Sequence, residues 1–113
     1  MNSIQKTSIQ YWKLIRIGKA KKVLEDFNGA IEAYSKAIEI NKNQYNAYFY
    51  RGNIYSKIKN HDYAISDYTE ALRIKNSNFC TEIILERRDK EILEKFKLNK
   101  ACLLYTSPSP RDY

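Results

Sequence analysis

The sequence predicts an all-α fold, an α-solenoid of antiparallel helix-turn-helix repeats that ends in a C-terminal capping helix. Two observations carry this prediction. The chain has 113 residues but only three Gly and two Pro, and both Pro lie close to its end, so its body is almost free of residues that interrupt helices. The chain also repeats itself with a period of 34 residues, a length that holds one pair of helices.

The internal repeat needs no gap. Seven positions are identical when residues 11–44 are aligned with residues 45–78, whereas about two identities would be expected from ordinary residue frequencies. The identical pairs are Tyr11/Tyr45, Gly18/Gly52, Ala30/Ala64, Ile31/Ile65, Tyr34/Tyr68, Ala37/Ala71 and Ile40/Ile74. In the second half of each unit, small and large side chains alternate along one stripe, which favours close packing between helices.

The first unit is predicted to span residues 9–44, after a flexible N-terminal segment of residues 1–8. Its helices are expected at about 9–24 and 27–40. Thr7 and Gln10 fit a capping box that opens the first helix, and Asp26 is a good N-cap for the second. Gly18 costs about 1 kcal/mol relative to Ala inside a helix, which indicates that a neighbouring helix approaches closely there.

The second unit is predicted to span residues 45–78, with helices at about 45–58 and 61–74. Asn60 is the expected N-cap of its second helix. Polar residues follow each unit, in the stretches 41–43 and 76–78, and such stretches are typical of connectors.

Residues 79–101 are expected to form either a capping helix or a degenerate third repeat. Apolar residues recur there at helical spacing, at Phe79, Ile83, Ile92, Leu93 and Phe96. A third register of the repeat fits poorly, because Glu86 stands at the glycine position. One long helix that covers the open side of the second unit is therefore favoured, with Glu91 and Glu94 on a solvated outer face.

The last residues have a separate interpretation. Residues 102–112 resemble the translation of a transposase adaptor used in sequencing libraries, and every one of these residues matches. Residues 102–113 are therefore expected to be an artefactual, disordered tail, and the chain a fragment of a longer protein. The alternative is a natural Ser/Pro-rich tail.

Residues 45–78 resemble a standard tetratricopeptide-repeat unit. The family's small–large pattern is carried by Gly52, Tyr55, Ala64, Tyr68 and Ala71. Residues 11–44 are similar, although Lys21 stands where the family prefers an aromatic residue. Neither unit has the closing Pro that is common in the family, since Lys42 and Asn76 occupy those positions. The resemblance covers residues 11–78.

The resemblance implies a binding groove, because the first helices of successive repeats line a concave surface in this family. The implied peptide-binding residues are Trp12, Ile15, Arg16, Lys19, Asn46, Phe49, Tyr50, Asn53 and Ser56. Trp, Tyr and Arg are common anchors at interfaces, and Arg16 and Lys19 would favour an acidic peptide. An alternative remains open for Trp12 and Phe49, which could instead pack within the solenoid.

Chemistry-bearing motifs are scarce in the sequence. His61 is the only histidine, and the three glycines form no phosphate loop. The two cysteines, Cys80 and Cys102, have no metal-ligand spacing. We therefore expect no catalytic residues, no metal, no cofactor and no small-molecule substrate, and predict that the chain is not an enzyme.

The leading functional prediction is a protein–protein interaction scaffold that binds a peptide or helix of a partner, possibly an acidic one. A net charge of +7 leaves a nucleic-acid-binding surface as an alternative, but its candidate residues spread around the first helix: Lys13, Arg16, Lys19, Lys21 and Lys22. Another alternative is a regulatory segment of a larger enzyme. Neither an apolar run long enough for a membrane nor a signal peptide appears, so a cytoplasmic location is expected.

Overall fold

The computed structural model describes residues 3–75 and 78–102. Within these ranges the chain forms five α-helices, and each packs against the next along the chain. The predicted all-α solenoid is confirmed. The helices are α1 (Ser3–Val23), α2 (Phe27–Ile40), α3 (Tyr45–Lys57), α4 (His61–Ile74) and α5 (Asn78–Cys102).

The bounds of α2 and α4 agree with prediction, and α3 ends one residue earlier than expected. The start of α1 was predicted wrongly. The helix begins at Ser3, so residues 3–8 are helical rather than a flexible segment, and Thr7 lies inside the helix instead of capping it. No Gly or Pro interrupts residues 3–17, so nothing in the local chemistry stops the helix from extending toward the N-terminus. Predictions for residues 1–2, 76–77 and 103–113 concern residues outside those described. Asn78, expected in a connector, and Cys102, expected in the disordered tail, lie instead at the two ends of α5.

The turns inside the two units have the same construction. Glu25 and Lys59 adopt positive φ angles of 61° and 68°, and they occupy equivalent positions of the repeat. In each turn the following residue donates its backbone N–H back across the helix end, from Asp26 to Lys21 O and from Asn60 to Tyr55 O, both at 2.8 Å. This is the Schellman ending of a helix.

The same two polar residues then cap the next helix, as predicted. Asp26 accepts a hydrogen bond from the Gly29 N–H at 2.9 Å, and Asn60 accepts one from the Tyr63 N–H at 3.4 Å. Each cap satisfies a backbone donor that would otherwise have no partner in the first turn of a helix.

Close packing between the helices of each unit depends on glycine. A Cβ atom placed on Gly18 would lie 2.4 Å from Cε1 of Tyr34, and one placed on Gly52 would lie 2.9 Å from Cε1 of Tyr68. Both tyrosines are only 1% exposed. The absence of a side chain at each glycine therefore lets a whole aromatic ring lie against the first helix, and the predicted small–large complementarity is confirmed.

Tyr11 connects the first unit to the second. The backbone N–H of Ala47, in the first turn of α3, donates to the Tyr11 hydroxyl at 3.0 Å. The N-cap residue of α3, Gln44, makes no side-chain capping bond. A buried tyrosine of α1 thus supplies the acceptor that the start of α3 lacks.

The buried face of α5 differs from the predicted one. Ile84 is 1% exposed and packs with Ala64, Tyr68 and Ala71 of α4, whereas Ile92, Leu93 and Phe96 are exposed. The apolar stripe read from the sequence therefore lies largely on the solvent side. Phe79 has no described side-chain environment.

Strong alkali is expected to unfold the protein. Burial raises the pKa of Tyr11, Tyr34 and Tyr68 to about 12, while tyrosine in an unfolded chain ionises near 10. A folded-state pKa above the unfolded one gives stability that is complete below about pH 10 and is lost as the pH rises toward 12. The urea midpoint should fall steeply across this window. The fall should be shallower in Tyr34→Phe, and an unchanged midpoint up to pH 12 would contradict the burial.

None of the helices in the described ranges combines the length and the apolar composition that crossing a membrane requires.

Candidate binding cleft

The three helices α1, α3 and α5 contribute to one cleft of about 590 Å³. They are alternate helices of the solenoid, so they share one side of it. Tyr68 of α4 also lines the cleft. The lining residues are Lys22, Asn53, Ser56, Lys57, Tyr68, Glu86, Arg87, Lys90 and Glu91.

Asn53 lies at the centre of the hydrogen bonds in the cleft. Its side-chain oxygen accepts from the Tyr68 hydroxyl at 2.5 Å and from Arg87 Nη1 at 3.0 Å. Both bonds use the carbonyl oxygen, so the two N–H donors of the amide are not consumed by them. An amide held in this way can donate to a carbonyl oxygen or to an anionic oxygen of a ligand.

Glu91 fixes α5 to the rest of the fold. It is 3% exposed, its Oε2 accepts from the Ser56 hydroxyl at 2.6 Å, and its Oε1 lies 2.7 Å from His61 Nδ1. The expectation of a solvated Glu91 was therefore wrong. A buried carboxylate requires such partners, and they come from α3 and α4. Ser56 donates to the Glu91 carboxylate, so its hydroxyl is not bonded to the His61 imidazole as the hydroxyl of a Ser–His pair is.

Positive charge dominates the cleft. Four cationic side chains and two carboxylates line it, which leaves a surplus of two positive charges. Lys22, Lys57 and Lys90 have no ion-pair partner within residues 3–75 and 78–102. All three are exposed, so they are available to a ligand.

A row of aromatic and cationic side chains runs beside the cleft. Lys19 Nζ of α1 lies 4.5 Å from the centre of the Tyr50 ring. The rings of Tyr50 and Phe49 are 5.8 Å apart, and the Arg87 guanidinium lies 5.3 Å from the Phe49 ring. The row thus connects α1, α3 and α5 through cation–π and aromatic contacts.

The structure groups the predicted groove residues unevenly. Asn53 and Ser56 line the cleft, and Lys19, Tyr50 and Phe49 form the adjacent row. Trp12, 41% exposed, packs edge-on against Tyr11 with ring centres 5.0 Å apart.

Three further predicted residues are not brought into the cleft. Arg16 is exposed on α1, and Asn46 is half-buried in the first turn of α3. Ile15 is 2% exposed and lies in the hydrophobic core. Its side chain is therefore not on the surface of the groove, where it was predicted. Its side chain follows Tyr11 by one helical turn, and the two side chains therefore share the core face.

The cleft residues of α1 and α5 were missed by sequence reasoning, although a signal for them exists. Positions 22, 56 and 90 are equivalent in the 34-residue repeat, and so are positions 19, 53 and 87. Lys90 and Arg87 therefore occupy the same register as Ser56 and Asn53. The small–large pattern fades in α5, but the register of its cleft-facing positions does not.

Comparison with known families agrees with this architecture. A family model described as TPR repeat matches residues 18–59, and one described as Tetratricopeptide repeat matches residues 45–78. Together they span residues 18–78, more than half of the 113 residues. The chain belongs to the tetratricopeptide-repeat family. Tetratricopeptide repeats generally mediate protein–protein interactions and are typically not catalytic.

A curated relative also matches part of the chain. The chain is 39% identical over 56 residues to Neutrophil cytosol factor 2 from Mus musculus. The matched region is 50% of this chain and 11% of the relative, so the chain spans only about a tenth of that protein.

Within the described residues, no group of three or more His, Cys, Asp or Glu side chains is arranged to hold a metal ion.

Proposed function

We propose that this tetratricopeptide-repeat protein is an interaction scaffold that binds a peptide or helix of a partner protein in the cleft lined by α1, α3 and α5. The cleft of about 590 Å³ is the observation that carries the proposal. It lies where alternate helices of the solenoid meet, and its polar and aromatic lining offers both hydrogen bonds and apolar contact area.

The partner segment is proposed to be acidic. The cleft carries more cations than carboxylates, and the buried carboxylate of Glu91 is already bonded to Ser56 and His61. Lysine side chains without ion-pair partners attract an anionic segment and raise its association rate.

The aromatic row is proposed to extend the binding surface toward α1. Phe49 and Tyr50 are half-buried, so each keeps some accessible ring surface beside its cation–π partner. Trp12 and Arg16 lie farther along α1 and would contact only a longer segment. We leave Ile15 out of the proposed surface because it is buried.

Peptide selection followed by charge reversal tests this function. A displayed library of random 12-residue peptides would be panned on the chain, and the affinities of recovered peptides measured for the parent and for Lys22→Glu/Lys90→Glu. Both lysines are exposed and neither has an ion-pair partner in the part of the chain that the structure describes, so the variant should fold. We expect enrichment of Asp and Glu in the peptides and a loss of affinity of about tenfold, since each reversal replaces attraction by repulsion at an exposed site.

Lys13→Glu/Lys36→Glu is the matched control. Lys13 precedes Lys22 by nine residues, which places it on the opposite side of α1 at 100° per residue. Lys36 lies on α2, and its exposed ion pair with Glu32 at 4.0 Å is of the surface kind whose loss costs little stability. The control carries the same change in net charge. Equal losses of affinity in the two variants would contradict binding in the cleft, and so would a failure to recover any peptide.

A cytoplasmic location is part of the proposal, supported by the name of the relative, which describes a cytosol factor. Cell fractionation of a tagged chain would test it, and recovery in the secreted fraction would contradict it.

A further inference from the structure

We infer that the cleft is a site for a phosphoryl group, carried on a phosphoserine or phosphothreonine of the partner peptide. This inference rests on the proposed function, because it names the group that the peptide places in the cleft. The binding residues are Lys22 of α1, Lys57 of α3, and Arg87 and Lys90 of α5.

The charge balance favours a dianion over a single carboxylate. The cleft has a surplus of two positive charges, and a phosphoryl group on serine or threonine carries about −1.5 to −2 at pH 7. An aspartate or glutamate side chain would neutralise only one of these charges. It also offers two acceptor oxygens where the phosphoryl group offers three.

The placement of the four cationic side chains on several helices suits an anion with three acceptor oxygens. The four side chains come from three different helices, α1, α3 and α5, and all four line the same cleft. Lys22 and Lys90 occupy equivalent positions of the repeat, on either side of Ser56. A compact anion between these helices can accept donors from several directions at once.

Arg87 is already held in position. Its Nη1 donates to Asn53 at 3.0 Å, and its guanidinium lies 5.3 Å from the Phe49 ring. The hydrogen bond to Asn53 uses one N–H of the five that a guanidinium carries. A guanidinium held on two sides loses less freedom when it binds phosphate.

The buried acidic group of the cleft does not compete with the ligand. Glu91 faces the Ser56 hydroxyl and His61, so both of its carboxylate oxygens are already engaged within the fold and turned away from the ligand's oxygens. Glu86 is the remaining carboxylate of the lining and is exposed, so solvent screens its repulsion.

The site can be tested without knowing the partner sequence. N-acetyl-phosphoserine N-methylamide would be titrated into the full chain at constant ionic strength and pH 7.5, while the side-chain N–H resonances of Asn53 and Arg87 are followed by NMR. Matched titrations would use the aspartate analogue and inorganic phosphate. We expect the phosphoserine compound to bind at least about tenfold more tightly than the aspartate analogue, since additional charge-assisted bonds form. It should also bind more tightly than inorganic phosphate, because the peptide groups add contacts.

Lys22→Gln and Lys90→Gln should each lower the affinity for the phosphoserine compound about three- to tenfold. Lys13→Gln should leave this affinity unchanged, since Lys13 lies across α1 from the cleft. Equal binding of the aspartate analogue would overturn the phosphoryl site, and equal binding of inorganic phosphate would overturn its assignment to a peptide. Equal weakening by Lys13→Gln would indicate a diffuse basic surface of the kind that binds nucleic acid. Any of these results combined with selected peptides that bind the cleft would leave the proposed function standing.

Discussion

Tyr68→Ala is expected to destabilise the protein by about 3–5 kcal/mol, the range for removing a large aromatic side chain from a core. Tyr68 is 1% exposed and packs among Ala64, Ala71 and Ile84, and its ring fills the space left by Gly52. A chain of this size has a total stability of the order of 5–15 kcal/mol. The variant should therefore lose a large fraction of its stability, which a markedly lower urea midpoint followed by circular dichroism at 25 °C would show.

Two further variants separate the contributions of Tyr68. Tyr68→Phe keeps the ring but loses the hydrogen bond to Asn53, and should cost about 1 kcal/mol. Tyr63→Ala removes a tyrosine of the same helix that is 57% exposed, and its cost should be well below that of Tyr68→Ala. A Tyr68→Ala protein that melts within a few degrees of the parent would contradict the packing described for the second unit.

Arg51→Met is expected to cost about 3 kcal/mol, the lower end of the range for leaving one partner of a buried ion pair alone. The Arg51 guanidinium makes a two-bond contact with Asp67 at 2.7 and 2.8 Å and donates to Ser35 Oγ at 3.0 Å. It therefore ties α3 to both α4 and α2. Asp67 is 5% exposed and would remain buried without its counter-charge. Urea denaturation at pH 7 measures the loss.

Two measurements test whether the unpaired charge of Asp67 causes the loss of stability in Arg51→Met. Burial raises the pKa of Asp67, and the guanidinium of Arg51 opposes that rise. Without Arg51 the folded-state pKa should rise further above the unfolded value, so the deficit of Arg51→Met should shrink as the pH falls through that raised pKa and the carboxyl group becomes neutral. Arg51→Met/Asp67→Leu should recover much of the loss at pH 7. A double variant no more stable than Arg51→Met would show that the buried charge is not the cause.

Most of the fold could be predicted because its determinants are local. Asp26 and Asn60 are N-cap residues that the structure uses as caps, and the alternation of small and large side chains fixes which faces of the paired helices meet. The start of α1 could not be placed, because a stretch without Gly or Pro gives no clear signal of where a helix begins.

The site was harder to predict because its contacts are long-range. Nothing near Glu91 in the sequence shows that Ser56 and His61, 35 and 30 residues away, make its burial possible. A charged helix without these partners would present Glu91 to solvent. The 34-residue register locates Arg87 and Lys90 beside Asn53 and Ser56, but it does not show that α5 packs closely enough to close the cleft. Ile15 was misplaced because the family pattern assigns a groove position where this chain has a core side chain.

Site-specific photo-crosslinking measures most directly whether a partner peptide lies in the cleft. A photoreactive phenylalanine analogue would replace Lys57, in the cleft wall, or Lys36, exposed on α2, and each protein would be irradiated with a peptide recovered from the selection. We expect an efficient cross-link from position 57 and none above background from position 36. A cross-link from position 36 without one from position 57 would contradict binding in the cleft between α1, α3 and α5.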